Sequence, residues 1–308
     1  MPLPTLVVVT GPTASGKTAL AIRLALELGC DIISADSRQI YRGIPIGTAQ
    51  PDPQQLAAVP HHLVGALPLD AYYSASCFET DALALLPDIF RRSGGWAVVC
   101  GGSMMYVDAL CNGIDDLPTI SDTVRGRVLD LFNTSGLSAV LSQLQQLDPD
   151  YAARVDRSNH KRVIHALEIC LESGRPCSEL LTGRRVERPF RVIRLAVDWP
   201  RELLFQRINA RVDAMIRGGL EQEARSVFHL RHLNSLNTVG YKEMFAWFDG
   251  LMDRDTAIAR IAKNTRVYAK KQLTWIRRPD ASPTLMLPFD SPFESAMKTI
   301  VSPYSDNL

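Results

Sequence analysis

The chain has 308 residues, 46% of them hydrophobic and 22% charged, with a net charge of +1. Those values exclude a disordered or fibrous chain and leave room for one large or two modest globular domains. Near-neutrality excludes a global field that would draw a polyanion, so any nucleic-acid surface has to come from local clustering.

In chain order, the first 112 residues alternate apolar runs with helical patterns. Strands are predicted over 5–10, 31–35, 62–64 and 96–100, and helices over 16–28, 75–92 and 103–112. Such alternation argues a parallel sheet flanked by helices. From 113 to 189 helical patterns dominate, over 123–133, 137–147 and 161–173, and the stretch reads as a helical insertion. A strand returns at 191–197, followed by helices over 201–217, 220–231, 240–248 and 254–277. The last residues, 281–308, carry Pro283, Pro288, Pro292 and Pro303 and are expected to form a loosely attached tail. The predicted division is a core, 1–112, an insertion, 113–189, the rest of the core, 190–280, and the tail.

No apolar run approaches the length of a membrane span, and no basic leader or cleavage site precedes the first strand, so a cytoplasmic protein is expected. The six cysteines form no C-x-x-C pair, and buried reduced thiols are expected rather than a zinc site.

Residues 11–18 read Gly11-Pro12-Thr13-Ala14-Ser15-Gly16-Lys17-Thr18, a full match to G-x-x-x-x-G-K-[ST] between an apolar run and an amphipathic helix. Successive N–H groups, the helix N-terminus and the Lys17 charge suit a chain of at least two phosphates, and the Thr18 hydroxyl is placed to hold Mg²⁺. The fold expected from this context is α/β, a P-loop NTPase-like parallel sheet with flanking helices and a helical insertion domain.

Asp36 follows the second strand, where open α/β sheets bind ligands. It reads as a general base, a water-mediated Mg²⁺ ligand or the N-cap of a following helix. At the end of the fourth strand stands Cys100, where a nucleotide hydrolase keeps an acid, followed by Gly101, Gly102 and Ser103. The two glycines permit close approach to a ligand, and Ser103 suits a hydrogen bond or a helix cap. Arg211 reads equally as a diphosphate contact or a surface ion pair. From 157 to 194 there are nine Lys/Arg against four Glu, and Lys263, Arg266, Lys270 and Arg277 share one face of the long helix. Each region reads as a solvated face or as part of a polyanion surface.

Taken together, these segments resemble the bacterial tRNA dimethylallyltransferase (tRNA isopentenyltransferase) family. The resemblance runs through Gly11–Thr18, Ser34 to Gly43, Ile46 to Ala49, Pro60 to Leu63 and Gly101-Gly102-Ser103 with Tyr106. It continues through Asn159 to Arg162, Gly174-Arg175-Pro176, Val239-Gly240-Tyr241 and Tyr268 to Trp275. It implies transfer of a dimethylallyl group from dimethylallyl diphosphate to N6 of the tRNA adenosine just 3′ of the anticodon, position 37, in tRNAs reading codons that begin with U. The phosphate loop then holds the donor's diphosphate rather than ATP, with Mg²⁺ as cofactor. The resemblance also implies Asp36 as general base, and Thr18, Ser103 and Arg211 as catalytic contacts. Asp36, Ser37, Arg38, Gln39 and Ser103, with Arg125, Lys161, Arg162, Val163, Ile164 and His165 of the insertion, match segments that contact tRNA.

The sequence departs from the family at Ser103, usually Thr, and at Met104-Met105, and with no Cys/His cluster where eukaryotic members carry a zinc finger, a bacterial-type enzyme is expected. Partners expected are the tRNA anticodon stem-loop and the prenyl donor, with no membrane and no obligate protein partner; a monomer is the default. The competing readings are an adenylate isopentenyltransferase acting on free AMP, ADP or ATP, a P-loop small-molecule kinase, and an RNA-binding nucleotide switch. The basic helical insertion favours a tRNA acceptor over a free nucleotide.

Overall fold

The computed structural model describes residues 3–183, 185–278 and 283–301. In chain order the core opens with β1 (Thr5–Thr10), α1 (Lys17–Leu28), β2 (Ile32–Ser34), α2 (Pro45–Thr48), α3 (Pro53–Ala58), β3 (His61–His62), α4 (Ala75–Arg92), β4 (Trp96–Cys100) and α5 (Met104–Asn112). Next come α6 (Asp122–Leu147), α7 (Pro149–Arg154), α8 (His160–Ser173) and α9 (Cys177–Leu180). The chain then continues through β5 (Arg191–Asp198), α10 (Arg201–Arg217), α11 (Leu220–Val227), α12 (Tyr241–Phe248), α13 (Arg254–Ile276), β6 (Leu285–Pro288) and α14 (Pro292–Val301).

Two compact units result: residues 1–111 with 188–308, and residues 112–187. The first is built on a six-stranded sheet in the order β3-β2-β4-β1-β5-β6, every pair parallel. β1 lies between β4 and β5, and Leu6, Val7, Val8 and Val9 are fully buried. A continuous apolar, valine-rich run of this kind is what a strand covered on both faces requires. The carboxyl ends of β1, β2 and β4 deliver Gly11, Asp36 and Gly101 to one edge of the sheet. A second apolar cluster in this unit joins Ile40 and Ile44 to Val212 of α10, Leu220 of α11, Tyr241 and Met244 of α12, and Ile261 of α13.

In the second unit α6 is one element broken at Gly136, whose φ of 74° and ψ of −179° no helix accommodates; the two predicted helices lie on either side of it. Val140 and Leu144 of α6 pack with Val163 and Leu167 of α8, all essentially solvent-free. Among the described residues this unit has no strand.

The expectation of a loose tail is corrected. Leu285–Pro288 extends the sheet as an edge strand on β5, and α14 buries Ala296 and Ile300 in the main core. Pro288 ends β6 at the sheet's edge and Pro292 starts α14 in its first turn, both positions that tolerate proline. Residues 281–282 and 302–308, including Pro303, lie outside the described residues, as does Arg184 of the basic count. Four short helices, α2, α3, α7 and α9, lie outside the predicted elements. α3 is defined by a capping box between Asp52 and Gln55 with Pro53 at its first position.

Candidate active site

The phosphate loop, Gly11 to Thr18, has three residues at positive φ: Gly11 at 144°, Ala14 at 65° and Gly16 at 86°. Ala14 has no glycine's freedom, and its conformation is held from outside. Arg207 Nε donates to the Ala14 carbonyl at 2.9 Å, and Trp199 Nε1 donates to the Ser15 carbonyl at 2.9 Å. The Arg207 guanidinium also stacks 4.4 Å over the Trp199 ring. Not every amide of the loop points inward, as the motif alone suggests. The Thr13 N–H is taken by Gln272 Oε1 of α13 at 2.8 Å, and the Ser15 N–H bonds the Pro12 carbonyl at 3.3 Å. Lys17 and Thr18 head α1, whose cap, Gly16, offers no side chain, so the first-turn amides keep their donor capacity. Ser15 Oγ is buried without a hydrogen-bond partner.

Burial holds the Lys17 ammonium below its ordinary pKa; Cys100 opposes that shift, Arg211 adds to it, and Asp36 opposes it. Burial likewise lowers Arg211, against the attraction of Asp36. Arg211 is therefore not a surface ion pair: Nη1 donates to Thr13 Oγ1 at 3.4 Å. Two cations are thus gathered at a loop already rich in amide dipoles, an arrangement suited to a polyanionic ligand. Cys100, pushed up to about 11 mainly by burial, stays a neutral thiol and shares a hydrogen bond with the Thr18 hydroxyl.

Asp36 does not cap a helix. Its Oδ1 accepts the amides of Arg38 at 2.9 Å and Gln39 at 3.3 Å, closing a turn after β2. Ser103 Oγ in turn accepts the Ser37 amide at 2.8 Å, and its own amide donates to the Ala35 carbonyl at 3.2 Å. The glycines before it are packed closely, Gly101 against the Ala35 backbone and Gly102 against the Gln272 side chain. A Cβ on Gly101 would lie 2.1 Å from the Ala35 oxygen, and one on Gly102 2.3 Å from Gln272 Nε2.

Asp36 lines a cavity of about 360 Å³ with Thr13, Arg211 and Tyr268, together with apolar Ile208, Val212 and Ile261 and polar Asn237, Lys242 and Thr265. A second recess of about 480 Å³ lies along Gly16, Lys17, Thr18, Arg207 and Arg211. Arg211 lines both, so a diphosphate on the loop and an apolar group in the first cavity are within the compass of one ligand. Burial and the Asp36 charge push the Tyr268 hydroxyl up to about 12.

Among the residues matched to tRNA contacts, Ser37 and Arg38 line the Asp36 cavity. Gln39 differs: Nε2 donates to the Thr48 and Ala49 carbonyls, at 3.2 and 2.7 Å, and Oε1 accepts from Ser34 Oγ. Its side chain is an internal strut and not an open reader of RNA. In the second unit, Lys161 and Arg162 are exposed on α8, while Arg125 Nε and His165 Nδ1 both face the buried Glu168, at 3.7 and 3.0 Å. Val163 has no exposed surface and belongs to that unit's core, so its side chain offers nothing to RNA, and Ile164 is partly packed there. The helical period explains this, because Val163 lies on the stripe with Ala166 and Leu167 that packs into the unit's core, while Lys161 and Arg162 lie outside it.

The basic counts also thin out. Arg188 pairs with Glu79 in the interior, and buried Arg194 lies 3.7 Å from Asp108. On α13, Arg266 donates to Asn209 at 2.6 Å, Arg277 pairs with Asp198 at 2.8 Å and Lys270 lies 5.8 Å over Phe205. Four residues escaped the sequence reading: Trp199, Arg207, Tyr268 and Gln272. Tyr268 and Gln272 did leave a signal, since both stand in the segment Tyr268–Trp275 that carries the resemblance, and Gln272 is also a polar residue on the helix face of Ile261, Ala269 and Ile276.

A family model described as IPP transferase matches residues 39–279, and one described as isopentenyl transferase matches residues 4–63. The chain is 54% identical over 274 residues to "tRNA dimethylallyltransferase 2" of Porphyromonas gingivalis, spanning 89% of this chain and 91% of the relative. It is 49% identical over 278 residues to "tRNA dimethylallyltransferase 1" of Bacteroides thetaiotaomicron, with 90% of each chain covered. Among solved structures, the full-length tRNA isopentenylpyrophosphate transferase of Bacillus halodurans matches with a TM-score of 0.69 at 33% identity, over 96% of this chain and 94% of that one. A eukaryotic dimethylallyltransferase acting on tRNA matches with a TM-score of 0.82 at 26% identity, over 96% and 78%.

Proposed function

The chain belongs to the IPP transferase family of tRNA dimethylallyltransferases, and from that premise we propose that it prenylates tRNA, moving a dimethylallyl group from dimethylallyl diphosphate to N6 of the adenosine 3′ of the anticodon. The observation that carries this reading is that Asp36 and Arg211 line one cavity with Thr13 of the phosphate loop and with the apolar side chains of Ile208, Val212 and Ile261, while Arg211 also lines the recess along Lys17 and Thr18. A diphosphate on the loop leaves a five-carbon tail that suits Ile208, Val212 and Ile261.

The chemistry follows from the charges. As the allylic C–O bond breaks, negative charge grows on the diphosphate, where Lys17, Arg211 and the first-turn amides of α1 are preorganised to meet it. The adenine N6 supplies the electron pair for the new C–N bond and loses a proton. The Asp36 carboxylate takes that proton, its geometry held by the amides of Arg38 and Gln39. The adenine must leave the anticodon stack to reach this sheet edge, so extrusion of the base is expected.

Mg²⁺ fits the residues present only as a shared ligand. Among the described residues no group of three His, Cys, Asp or Glu is disposed to hold a metal, which suits an ion that keeps its waters and rests on phosphate oxygens. Thr18 is the hydroxyl that would join such a set, and the ion would supply further neutralisation of the leaving diphosphate. Lys161 and Arg162 are proposed to meet tRNA phosphates, in keeping with a positioning role. Among the described residues no helix is long and apolar enough to cross a membrane, and a cytoplasmic location accords with a tRNA substrate.

The test is incorporation of labelled dimethylallyl diphosphate, with magnesium, into unmodified tRNA, with AMP and ATP assayed in parallel. Label in tRNA alone is expected; label in AMP and none in tRNA overturns the proposal.

A further inference from the structure

Gln272 is a neutral side chain, only 3% exposed, on a helix far along the chain from either loop of the site. Both ends of its amide are engaged. Oε1 accepts the Thr13 N–H at 2.8 Å, and Nε2 donates to the Gly102 carbonyl at 3.0 Å. A donor on one side and an acceptor on the other fix its orientation, since a flipped amide would set N–H against N–H and oxygen against oxygen.

Thr13 belongs to the loop that takes the donor's diphosphate. Gly102 precedes Ser103, which accepts the Ser37 amide beside Asp36, on the side where the acceptor base is expected. A Cβ at Gly102 would stand 2.3 Å from Gln272 Nε2, so any side chain there would displace the Gln272 amide. The two loops are therefore not merely adjacent. They are referenced to the same amide, one directly and the other through Gly102 and Ser103.

We propose that Gln272 is a positioning residue that sets the registry between the donor loop and the acceptor-side loop, so that the allylic carbon and the adenine N6 meet in line. It touches neither substrate. Each half-site keeps its own contacts without it: Lys17 and Arg211 for the diphosphate, Asp36 and the Arg38 and Gln39 amides for the turn. What is lost is alignment, which affects the reacting geometry and not the binding of either partner alone. A misplacement of about 1 Å between reacting groups costs on the order of 100-fold in rate.

The experiment compares wild type with Gln272→Glu and Gln272→Ala in the full chain. Gln272→Glu keeps an acceptor for the Thr13 amide and, when ionised, opposes an oxygen to the Gly102 carbonyl, so its rate is read at alkaline pH, where no protonated carboxyl stands in for the amide N–H. Gln272→Ala releases both loops. Single-turnover prenyl transfer, with enzyme in excess, reads the chemical step. The separate dissociation constants of tRNA and of dimethylallyl diphosphate read the half-sites. The expected result is a fall of about 30- to 100-fold in single-turnover rate for both variants, with each dissociation constant within about threefold of wild type. A rate within about threefold of wild type in either variant overturns the proposal. So does a loss of affinity for either substrate as large as the loss in rate, because Gln272 would then build one site and not align two. Circular dichroism checks that each variant folds, and Gln272→Glu, nearly isosteric, carries the test if Gln272→Ala does not fold.

Discussion

Ser103 Oγ accepts the backbone amide of Ser37 at 2.8 Å and donates to the Ser37 hydroxyl at 3.1 Å. The pair ties the end of β4 to the turn after β2, two segments that carry no covalent reason to stay in step. The Ser103 amide donates to the Ala35 carbonyl, and its carbonyl accepts the Tyr106 and Val107 amides, so the same residue also starts α5. The hydroxyl at this position therefore holds the loop that presents Asp36, and a threonine satisfies the same bonds.

Ser103→Ala should leave the Ser37 amide without its acceptor. An unsatisfied donor costs about 1–3 kcal/mol, which corresponds to roughly a 5- to 150-fold drop in prenyl transfer if the turn shifts. Ser103→Thr should stay close to wild type. Single-turnover transfer to tRNA measures both, and Ser103→Ala within twofold of wild type would reject the role.

Asp36 both closes a turn and is proposed to take the N6 proton, and two substitutions separate these roles. Asp36→Asn keeps an oxygen for the Arg38 and Gln39 amides but has no basic carboxylate, whereas Asp36→Ala loses both. Both should lose about 100- to 10,000-fold in turnover while tRNA still binds. Retention of normal turnover in Asp36→Asn would leave the residue a structural cap only.

Lys17 carries a pKa lowered chiefly by burial. With its pKa lowered in the folded enzyme, the charged ammonium is disfavoured relative to solution. Bound diphosphate favours the ammonium and raises that pKa, so binding takes up a proton once pH exceeds the free enzyme's lowered value. Affinity for dimethylallyl diphosphate should then decline with rising pH, beginning below the ordinary 10.5. Cys100 and Tyr268, at about 11 and about 12, titrate above the start of this decline. Lys17→Arg, always charged, should bind without it. Equilibrium binding across alkaline pH decides, and identical profiles for the two proteins would dismiss Lys17 as the titrating group.

On α8 adjacent residues should behave differently. Charge reversal in Lys161→Glu with Arg162→Glu is expected to weaken tRNA binding and flatten its salt dependence, each phosphate contact accounting for a log–log slope of about 0.7 to 0.9. Val163→Ala should leave the slope unchanged and cost stability instead, by about 1–3 kcal/mol, since its side chain is fully buried. Filter binding over a salt series and thermal unfolding read the two effects; an unchanged slope in the charge-reversal variant would argue against the contact.

Removal of the residues after 283 should destabilise the first unit, because Leu287 and Ile300 are 1% and 4% exposed and β6 covers the edge of β5. Each buried aliphatic side chain is worth about 1.5–3 kcal/mol, so the shortened chain should melt several degrees lower or aggregate through the bared edge. Leu287→Ala alone should cost about 2–5 kcal/mol. A truncated chain with an unaltered melting curve would restore the reading of this segment as a tail.

Much of this protein was legible before any coordinates. The phosphate loop announces itself because its backbone conformation demands glycines and its chemistry a lysine at fixed spacing. β1 and β5 show as apolar runs, and the long helices keep their 3.6-residue period. Asp36 could be placed at a strand's carboxyl end from order alone, and the ordered series of motifs identified the family. These signals are local: each is set by a few consecutive residues and the geometry of one element.

Other features depend on pairings that no window of sequence contains. Gln272 meets the Thr13 amide across 259 positions, and its role is invisible until α13 lies beside the loop. The proline-rich end looked loose because proline disfavours both helix interiors and central strands, yet an edge strand and a first helical turn accept it. Basic residues near 190 counted toward an RNA surface until packing turned Arg188 and Arg194 inward onto carboxylates. The sequence by itself determined which chemistry the chain carries, because motifs encode donors, acceptors and charge at short range. Tertiary structure alone decided which of those groups face a substrate and which hold the others still, because burial and long-range hydrogen bonds exist only once the chain has closed on itself.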